Sequence, residues 1–450
     1  MAEDVKVPEE WRRVRLGEIS EIVKGITYKS SDYCESEEGA TFINLKCILK
    51  KGGFNKDGLK YFKGLIRESQ ILRKGDIIIA IVDLTRDGDI IGYPLHVPDF
   101  GSNKVVTMSM DVVKIEPDAQ IDKAFLYYRL CLNDIHSYIL SISAGSTVLH
   151  LDLNWLPQLE FSVPLSLPEQ RKIAEILETI DNAIEKTDRI IEKYKRIKQG
   201  LMQDLLTRGI AESDELGVMS YELRDEKKHR FKDSPLGRIP EEWKVVELGE
   251  VADVRGGKRL PKGEDFAASQ TLFPYIRLVD IKGMNINLSA VKYIQEKTWK
   301  RIRRYTISKD DIMLSIAGTI GLVALIPEAL DGANLTENAA KLTTLRYFGK
   351  RFLAYYLTFH KAQRQIETLM GIVAQPKLAL FRIKQLKIPL PPLPEQHRIA
   401  SILSQIDEAI EKEQKYKEKL ERIKRGLMED LLTGKVRVLG VMNYELGVKS

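Results

Sequence analysis

The most concentrated group of cationic side chains lies in the segment RGGKRLPKG, residues 255–263. Arg255, Lys258, Arg259 and Lys262 are set there among flexible glycines. Lysine and arginine bind phosphate oxygens, and arginine also donates hydrogen bonds to acceptors at the edges of bases in a nucleic-acid groove. We therefore predict that these four residues contact a polyanion. An ordinary solvated basic loop has the same composition and remains the alternative.

The other reactive residue types form no catalytic pattern. GGKR at residues 256–259 lacks the upstream glycine spacing and the Ser or Thr of a phosphate-binding nucleotide loop. The six histidines show no HExxH spacing, the three cysteines no CxxC, and GxSxG does not occur. We predict no catalytic residue, no metal site and no cofactor on this chain. A metal-dependent nuclease with dispersed carboxylates stays open, because catalytic residues can lie far apart in sequence.

The composition describes a globular protein of more than one domain. At 450 residues the chain exceeds the size at which one core usually stops growing. Its hydrophobic content is 44%, its charged content 30% and its net charge +6, which permits a polyanionic partner. Neither an apolar stretch of about 18 residues nor a secretory leader is recognisable. We expect a cytoplasmic protein without membrane contact.

The sequence segments that must position the candidate residues occur twice in the chain. LPEQRKIAEILETIDNAIEK at residues 167–186 returns as LPEQHRIASILSQIDEAIEK at residues 393–412. PEEW at residues 8–11 returns at residues 240–243, and LGVMSYEL at residues 216–223 returns as LGVMNYEL at residues 439–446. These repeated segments, the markers of the two halves, keep their order, while the sequence between them diverges. The pattern indicates a tandem duplication.

The diverging sequence between the repeated markers forms one variable block in each half of the chain. We predict that each variable block is a mixed α/β domain. Ile- and Val-rich runs such as KGDIIIAIV and KDDIMLSIA predict short buried strands, and residues 123–140 and 350–369 have helical apolar spacing. Each repeated segment predicts a helix of about 40 residues, with a proline in its first turn and a glycine after its last. The two helices carry an apolar seam at coiled-coil spacing, so we predict that they pack together, antiparallel if the halves are related by a pseudo-two-fold axis. In the first helix the seam runs Ile173, Leu177, Ile180, Ile184, Thr187, Ile191, Tyr194, Ile197 and Leu201; in the second it runs Ile399, Leu403, Ile406, Ile410, Glu413, Lys417, Leu420, Ile423 and Leu427.

These markers predict five segments. The first domain covers residues 1–165 and the first helix 166–210; a linker and the second domain cover 211–390, the second helix 391–435, and a tail that repeats residues 213–224 covers 436–450. Two independent helices, each docked on its own domain, would be the simpler alternative.

The whole arrangement resembles the specificity subunit of a type I restriction-modification system. The most specific segments are IPLPPLPEQHRIASIL (388–403), AGTIGLVALIPEALDGANLTENAAKL (317–342) and GLMEDLLTGKVRV (426–438). The first half has SVPLSLPEQRKIAEIL and GLMQDLLTRGI in the matching places, but AIVDLTRDGDIIG (80–92) replaces the AGTIG segment.

The resemblance implies a non-catalytic DNA-recognition subunit. Each variable block would be a target-recognition domain that reads one half of a split, asymmetric site in double-stranded DNA. The helices would set the spacing and dock two modification subunits, which bind S-adenosylmethionine. ATP and Mg²⁺ would belong to restriction subunits, two of which would join such a complex where it also cleaves DNA. A coiled-coil scaffold with protein-binding heads is the remaining alternative.

The resemblance adds candidate DNA contacts in the loops between strands. In the second domain these are Arg277, Asp280, Thr319, Gln375 and Lys377. Their counterparts in the first half of the repeat are Asn44, Lys46, Thr85, Arg86, Thr147 and His150. Lys24, Tyr28 and Lys29 stand in the place of the basic loop.

Overall fold

The computed structural model describes residues 8–35, 38–85, 87–145, 147–215, 218–370 and 377–438. The chain divides into two compact units, one of Met1–Asp188 with Lys415–Ser450 and one of Arg189–Gln414. Each unit contains one variable block, the first part of one repeated helix and the last part of the other.

The first half of the chain is a mixed α/β fold. Its strands are β1 (Trp11–Arg15), β2 (Ser20–Lys24), β3 (Tyr33–Cys34), β4 (Ala40–Ile43), β5 (Lys60–Phe62), β6 (Ile77–Ala80), β7 (Val82–Asp83), β8 (Pro94–His96), β9 (Val106–Met108), β10 (Val112–Pro117), β11 (Ser143–Ala144), β12 (Leu149–Leu151) and β13 (Glu160–Pro164). Its helices are α1 (Leu16–Ile19), α2 (Lys123–Leu130), α3 (Asn133–Ser141) and α4 (Leu167–Leu205). Two four-stranded sheets, β2-β10-β6-β8 and β3-β5-β4-β9, form its centre.

The second half repeats this fold. Its strands are β14 (Ile210–Glu215), β15 (Val218–Leu223), β16 (Phe231–Lys232), β17 (Ile239–Pro240), β18 (Lys244–Glu247), β19 (Asp253–Gly256), β20 (Pro274–Ile276), β21 (Ile281–Lys282), β22 (Asn285–Ile286), β23 (Lys292–Tyr293), β24 (Thr306–Ile307), β25 (Ile312–Ser315), β26 (Val323–Leu325), β27 (Ala333–Leu335), β28 (Ala339–Thr343) and β29 (Lys387–Leu390). Its helices are α5 (Leu248–Val251), α6 (Glu296–Ile302), α7 (Lys350–Thr358), α8 (His360–Met370), α9 (Leu380–Lys384) and α10 (Leu393–Leu432). The sheet β19-β28-β25-β26 has the same order as β2-β10-β6-β8, and β20 pairs parallel with β27 as β4 does with β9.

The central strands form where the sequence predicts them. Every residue of β6 and of β25 is buried, which explains why both strands are apolar except for Ser315 at the end of β25. The predicted helical segments 123–140 and 350–369 also form, but each is broken into two helices. The second helix of each pair begins after a residue with an extended backbone, Leu132 or Phe359, which ends the first set of helical hydrogen bonds.

The two repeated helices pack antiparallel. In the first unit, Asp181 of α4 pairs with Lys424 of α10 at 2.5 Å, and Asp188 pairs with Lys417 at 2.7 Å. From the first ion pair to the second, the residue number therefore rises by seven on α4 and falls by seven on α10. In the second unit, Lys198 of α4 pairs with Asp407 of α10 at 2.6 Å. The two ion pairs of the first unit confirm the antiparallel prediction.

Part of the predicted seam is wrong. Ile173, Leu177, Ile399 and Leu403 are buried as expected, but Ile197 is 39% exposed and Ile423 is 40% exposed. A straight helix drifts by about 20° per heptad from an exact seven-residue repeat, so a seam extended over several turns leaves the contact face. Lys198, the residue after Ile197, faces the partner helix instead.

The LPEQ motifs join each helix to its domain. The side chain of Gln170 accepts a hydrogen bond from Asp122 N at 2.8 Å and donates to Pro164 O at 2.9 Å. Gln396 likewise accepts from Gly349 N at 2.9 Å and donates to Pro391 O at 2.8 Å. The repeated glutamine is therefore a structural connection.

The glutamate of each motif binds an arginine in a pocket. Arg437 donates to Glu169 at 2.7 and 2.9 Å and to Glu10 at 3.1 Å. Its hydrogen bonds with Glu169 raise the pKa of Arg437. In the second unit, Arg224 pairs with Glu395 and also with Glu242 at 3.0 Å.

Arg437 and Arg224 come from different places in the repeat. Each pocket nevertheless consists of one arginine, the glutamate of an LPEQ motif and a glutamate of a PEEW segment. Glu10 and Glu242 are the second glutamates of the two PEEW segments. Each pocket therefore joins the PEEW segment, at the start of one half of the chain, to the segment that follows a repeated helix.

The predicted terminal glycines lie beside these pockets. Gly209 has φ +63°, and a Cβ atom there would come within 2.4 Å of the Trp243 ring. Gly434 has φ +74°, and a Cβ atom there would come within 2.5 Å of Pro8. Only glycine combines the left-handed backbone with this close approach.

Candidate nucleic-acid interface

The basic loop of the second unit is held against the connection between β27 and β28. Gly257 N donates to Ala339 O at 3.0 Å and Lys258 N donates to Leu335 O at 2.8 Å. A Cβ atom on Gly257 would lie 2.1 Å from Thr336 O, so the close approach requires glycine. These contacts orient the exposed side chains of Lys258 and Arg259 next to residues 336–338.

Several predicted residues meet at one surface cavity. The cavity has a volume of about 560 Å³. Its lining includes three of the predicted residues, Arg259, Arg277 and Thr319. A neighbouring cavity of about 500 Å³ is lined by Lys258, Arg259 and Lys377 among others. The bridge between Ala317 and Lys377 brings the AGTIG segment (317–321) next to Lys377, although the two are distant in sequence.

Arg259 is paired but accessible. Its Nε donates to Glu337 Oε1 at 2.5 Å, while 79% of the side chain is exposed. Partial burial alone would raise the pKa of Glu337, but hydrogen bonds from Arg259 and Thr336 hold this pKa below its usual value. The same hydrogen bond raises the pKa of Arg259. Beneath them, burial raises the pKa of Tyr275 to about 12, so that the phenol stays neutral and donates to Lys258 O at 2.7 Å.

Arg277 lines the surface cavity, whereas Asp280 is buried. The prediction that Asp280 contacts DNA is therefore corrected. Asp280 is fully buried, and its carboxylate accepts from Arg277 N at 2.8 Å and from Arg277 Nη2 at 2.6 Å. A carboxylate enclosed in this way cannot reach a base. It positions Arg277, which lies over the Phe266 ring at 5.6 Å and lines the larger cavity.

The other second-domain candidates lie at the surface. Arg255, at the end of β19, is exposed and lies 3.5 Å from Asp253. Lys262, Thr319 and Lys377 are exposed as well. Gln375 lies outside the described residues.

The first unit has the same backbone arrangement with other side chains. Gly25 N donates to Val112 O at 3.0 Å and Ile26 N donates to Met108 O at 2.8 Å, as Gly257 and Lys258 do in the second unit. A Cβ atom on Gly25 would lie 1.9 Å from Ser109 O. Of the predicted residues near this loop, Lys24 and Lys29 are exposed. The Tyr28 ring instead packs edge-on against Tyr33 and Phe42, at 5.1 and 5.2 Å.

Asn44 is the second corrected prediction. It is buried, accepts from Lys46 N at 2.9 Å and donates to Gly58 O at 2.8 Å, so its amide holds a turn. Lys46 itself is exposed.

The segment that replaces AGTIG is ordered by Asp83. Burial alone would raise the pKa of Asp83, but hydrogen bonds from Thr85, Ile90 and Ile91 hold it below its usual value. Thr85 gives two of these bonds, both of 2.7 Å. Arg86 lies outside the described residues. Thr147 and His150 are exposed, and His150 pairs with Val82 as Lys377 does with Ala317.

Sequence reasoning missed the residues that complete the site. Phe266, Thr336, Glu337 and Asn338 line the larger cavity, and neither a charge cluster nor a spacing pattern marks them as binding residues. Residues 336–338, with the sequence TEN, lie inside one of the three segments that carry the family resemblance, and this was the available signal.

Other kinds of site find no support in the described part of the chain. It contains no group of three His, Cys, Asp or Glu side chains that could hold a metal ion. None of its helices is both long and apolar enough to cross a bilayer.

Comparison with known proteins agrees with this architecture. The model of the family described as type I restriction modification DNA specificity domain matches residues 8–195 and 240–422. The chain is 27% identical to the type I restriction enzyme MjaVIII specificity subunit of Methanocaldococcus jannaschii, over 96% of this chain and 95% of that protein. It is 24% identical to the EcoBI specificity subunit of Escherichia coli, over 89% and 80%.

Solved structures show the same fold. The crystal structure of the S subunit of a type I restriction-modification system from M. genitalium matches with a TM-score of 0.59 and 17% identity, over 96% of this chain and 97% of that one. The chain belongs to the type I restriction modification DNA specificity family, and within it to the specificity subunits with two target-recognition domains.

Proposed function

We propose that each domain reads one half of a split, asymmetric site in double-stranded DNA, and that the chain itself is not catalytic. One observation carries this proposal. The two domains have the same strand order and the same loop hydrogen bonds, yet different side chains stand at equivalent surface positions. A common scaffold with different surface chemistry suits the reading of two different base sequences.

On this proposal the repeated helices set the spacing of the half-sites and dock two modification subunits. Two equivalent helices offer the same surface twice, as two identical partner subunits require. S-adenosylmethionine would bind to the modification subunits, while ATP and Mg²⁺ would bind to restriction subunits where these are present. The chain would carry no cofactor and work in the cytoplasm.

We expect the purified chain alone neither to methylate nor to cleave DNA. Mixed with its modification subunits and S-adenosylmethionine, it should direct methylation to a split motif with two unlike halves. Sequencing of the methylated DNA is the measurement. Methyl transfer by the chain alone, or methylation at an unsplit motif, would contradict the proposal. If the chain were instead a coiled-coil scaffold with protein-binding heads, it would show no salt-sensitive DNA binding.

Replacing Lys258 and Arg259 together by alanine should weaken DNA binding across many sequences. Loss of two phosphate contacts should lower the slope of log affinity against log salt by about 2, while the half-site preference changes less. Replacing the exposed Lys227 and Lys228 by alanine removes the same charge and serves as the control. If both variants lower affinity and slope equally, the basic loop makes no special contact.

A further inference from the structure

The short connections that cross between the two sheets of each domain have the same backbone and different side chains. In the second domain residues 336–338 run from β27 to β28, and in the first domain residues 109–111 run from β9 to β10. Both connections have three residues. Each leads from the sheet with the parallel strand pair to the other four-stranded sheet.

The same hydrogen bonds hold both connections. Thr336 N donates to Ile276 O at 3.1 Å, and Ser109 N donates to Ile43 O at 2.9 Å. At the other end, Ile316 N donates to Asn338 O at 2.7 Å, and Ile81 N donates to Asp111 O at 2.9 Å. The backbone is therefore fixed at both ends.

The first residue of each connection is structural. Thr336 and Ser109 are buried, and each hydroxyl donates to an acidic side chain in its own connection, Glu337 at 3.1 Å and Asp111 at 3.4 Å. These hydroxyls orient the side chains that follow. A reading group held in this way loses little conformational entropy when it binds.

The next two residues are accessible and chemically different. Glu337 and Asn338 line the larger cavity beside Arg259 and Arg277. Within the described residues, the amide of Asn338 makes no hydrogen bond. In the first domain the corresponding residues are Met110, an apolar side chain that is 46% exposed, and Asp111.

These residue types match the chemistry of base edges. A carboxylate accepts from an amino group such as cytosine N4, asparagine pairs with adenine, and an apolar side chain contacts the thymine methyl group. We infer that residues 337–338 and 110–111 are specificity-determining base contacts of the second and first domains. The inference rests on the proposed function and names residues for it.

Reciprocal exchange at these positions tests the inference. Asn338→Asp and Asp111→Asn are isosteric and exchange the groups of the two domains, so both variants should fold. Glu337→Met and Met110→Glu exchange the neighbouring pair. Each variant is combined with wild-type modification subunits and S-adenosylmethionine, and the methylated motif is read from a library of split DNA sites.

We expect each substitution to change the preference at one or two base pairs by about tenfold or more, in one half-site only. The variants at 337 and 338 should alter the same half, and the variants at 110 and 111 the other half. Glu337→Met should shift preference away from a base with an exposed amino group and towards thymine.

The chain provides matched controls at the opposite ends of the same strands. Glu328 precedes β27, is exposed and pairs with Lys309 at 2.7 Å, so Glu328→Met makes the same charge change as Glu337→Met. Val105 precedes β9 and is 48% exposed, so Val105→Glu matches Met110→Glu. Both controls should keep the wild-type motif.

The outcomes separate the inference from the proposed function. If the wild-type complex methylates a split motif and the four exchange variants methylate the same motif with unchanged preferences, the inference is overturned and the proposed function stands. If the wild-type complex recognises no split motif, the proposed function fails first. Equal changes in the control variants would also overturn the inference, because charge or apolarity alone would then explain the effect.

Discussion

Deleting residues 186–192 together with residues 412–418 should shorten the unread gap of the DNA motif by about three base pairs. The deletion takes one heptad, or about 10 Å, from each repeated helix. It removes both Asp188 and Lys417, which form one ion pair, and leaves the Asp181–Lys424 and Lys198–Asp407 pairs in register. The protein should therefore fold and still bind its modification subunits.

The two half-sites should stay the same while the gap changes, as methylation sequencing would show. Deleting residues 186–192 alone is the control, because it shifts the register of the antiparallel helices and leaves Lys417 without Asp188. That variant should lose stability. If the double deletion kept the original gap with full activity, the helices would dock subunits without setting the spacing.

Glu395→Ala should lower the free energy of unfolding by about 3–5 kcal/mol, because it leaves a buried arginine without its main partner. Arg224 and Glu395 are both nearly inaccessible to solvent. Trp243 Nε1 and Ile210 N also donate to Glu395, at 3.0 and 2.9 Å, and would lose their acceptor. Denaturant titration of the purified chain measures the loss.

Two comparison variants make this result interpretable. Lys300→Ala breaks an exposed ion pair with Glu296 and should cost less than about 1 kcal/mol. The double variant Arg224→Met with Glu395→Leu removes both buried charges and should recover part of the loss. A loss from Glu395→Ala no larger than that from Lys300→Ala would show that the pocket contributes little to stability.

The duplication, the two long helices and the central strands could be predicted from the sequence. These features depend on local periodicity: apolar runs make buried strands, and three- and four-residue spacing makes a helix with one apolar face. The LPEQ repeats also marked the starts of the two long helices, although the arginine pockets and glutamine connections that the LPEQ and PEEW segments form were not visible in the sequence.

The limits of periodicity appear in the same helices. Ile197 and Ile423 continue the seam in the sequence and lie at the surface in the structure, because small angular errors accumulate along a long helix.

Tertiary structure decided which side chains form the recognition surface. Asn44 and Asp280 have the polar groups expected of base contacts, but burial and local hydrogen bonds use those groups to hold turns. Glu337 lies 78 residues from Arg259, and only the pairing of β28 with β19 brings the two together. The sequence by itself determined the elements and their duplication because those depend on neighbouring residues. The accessible surface depends on contacts between distant segments, whose geometry follows from the folding of the whole domain.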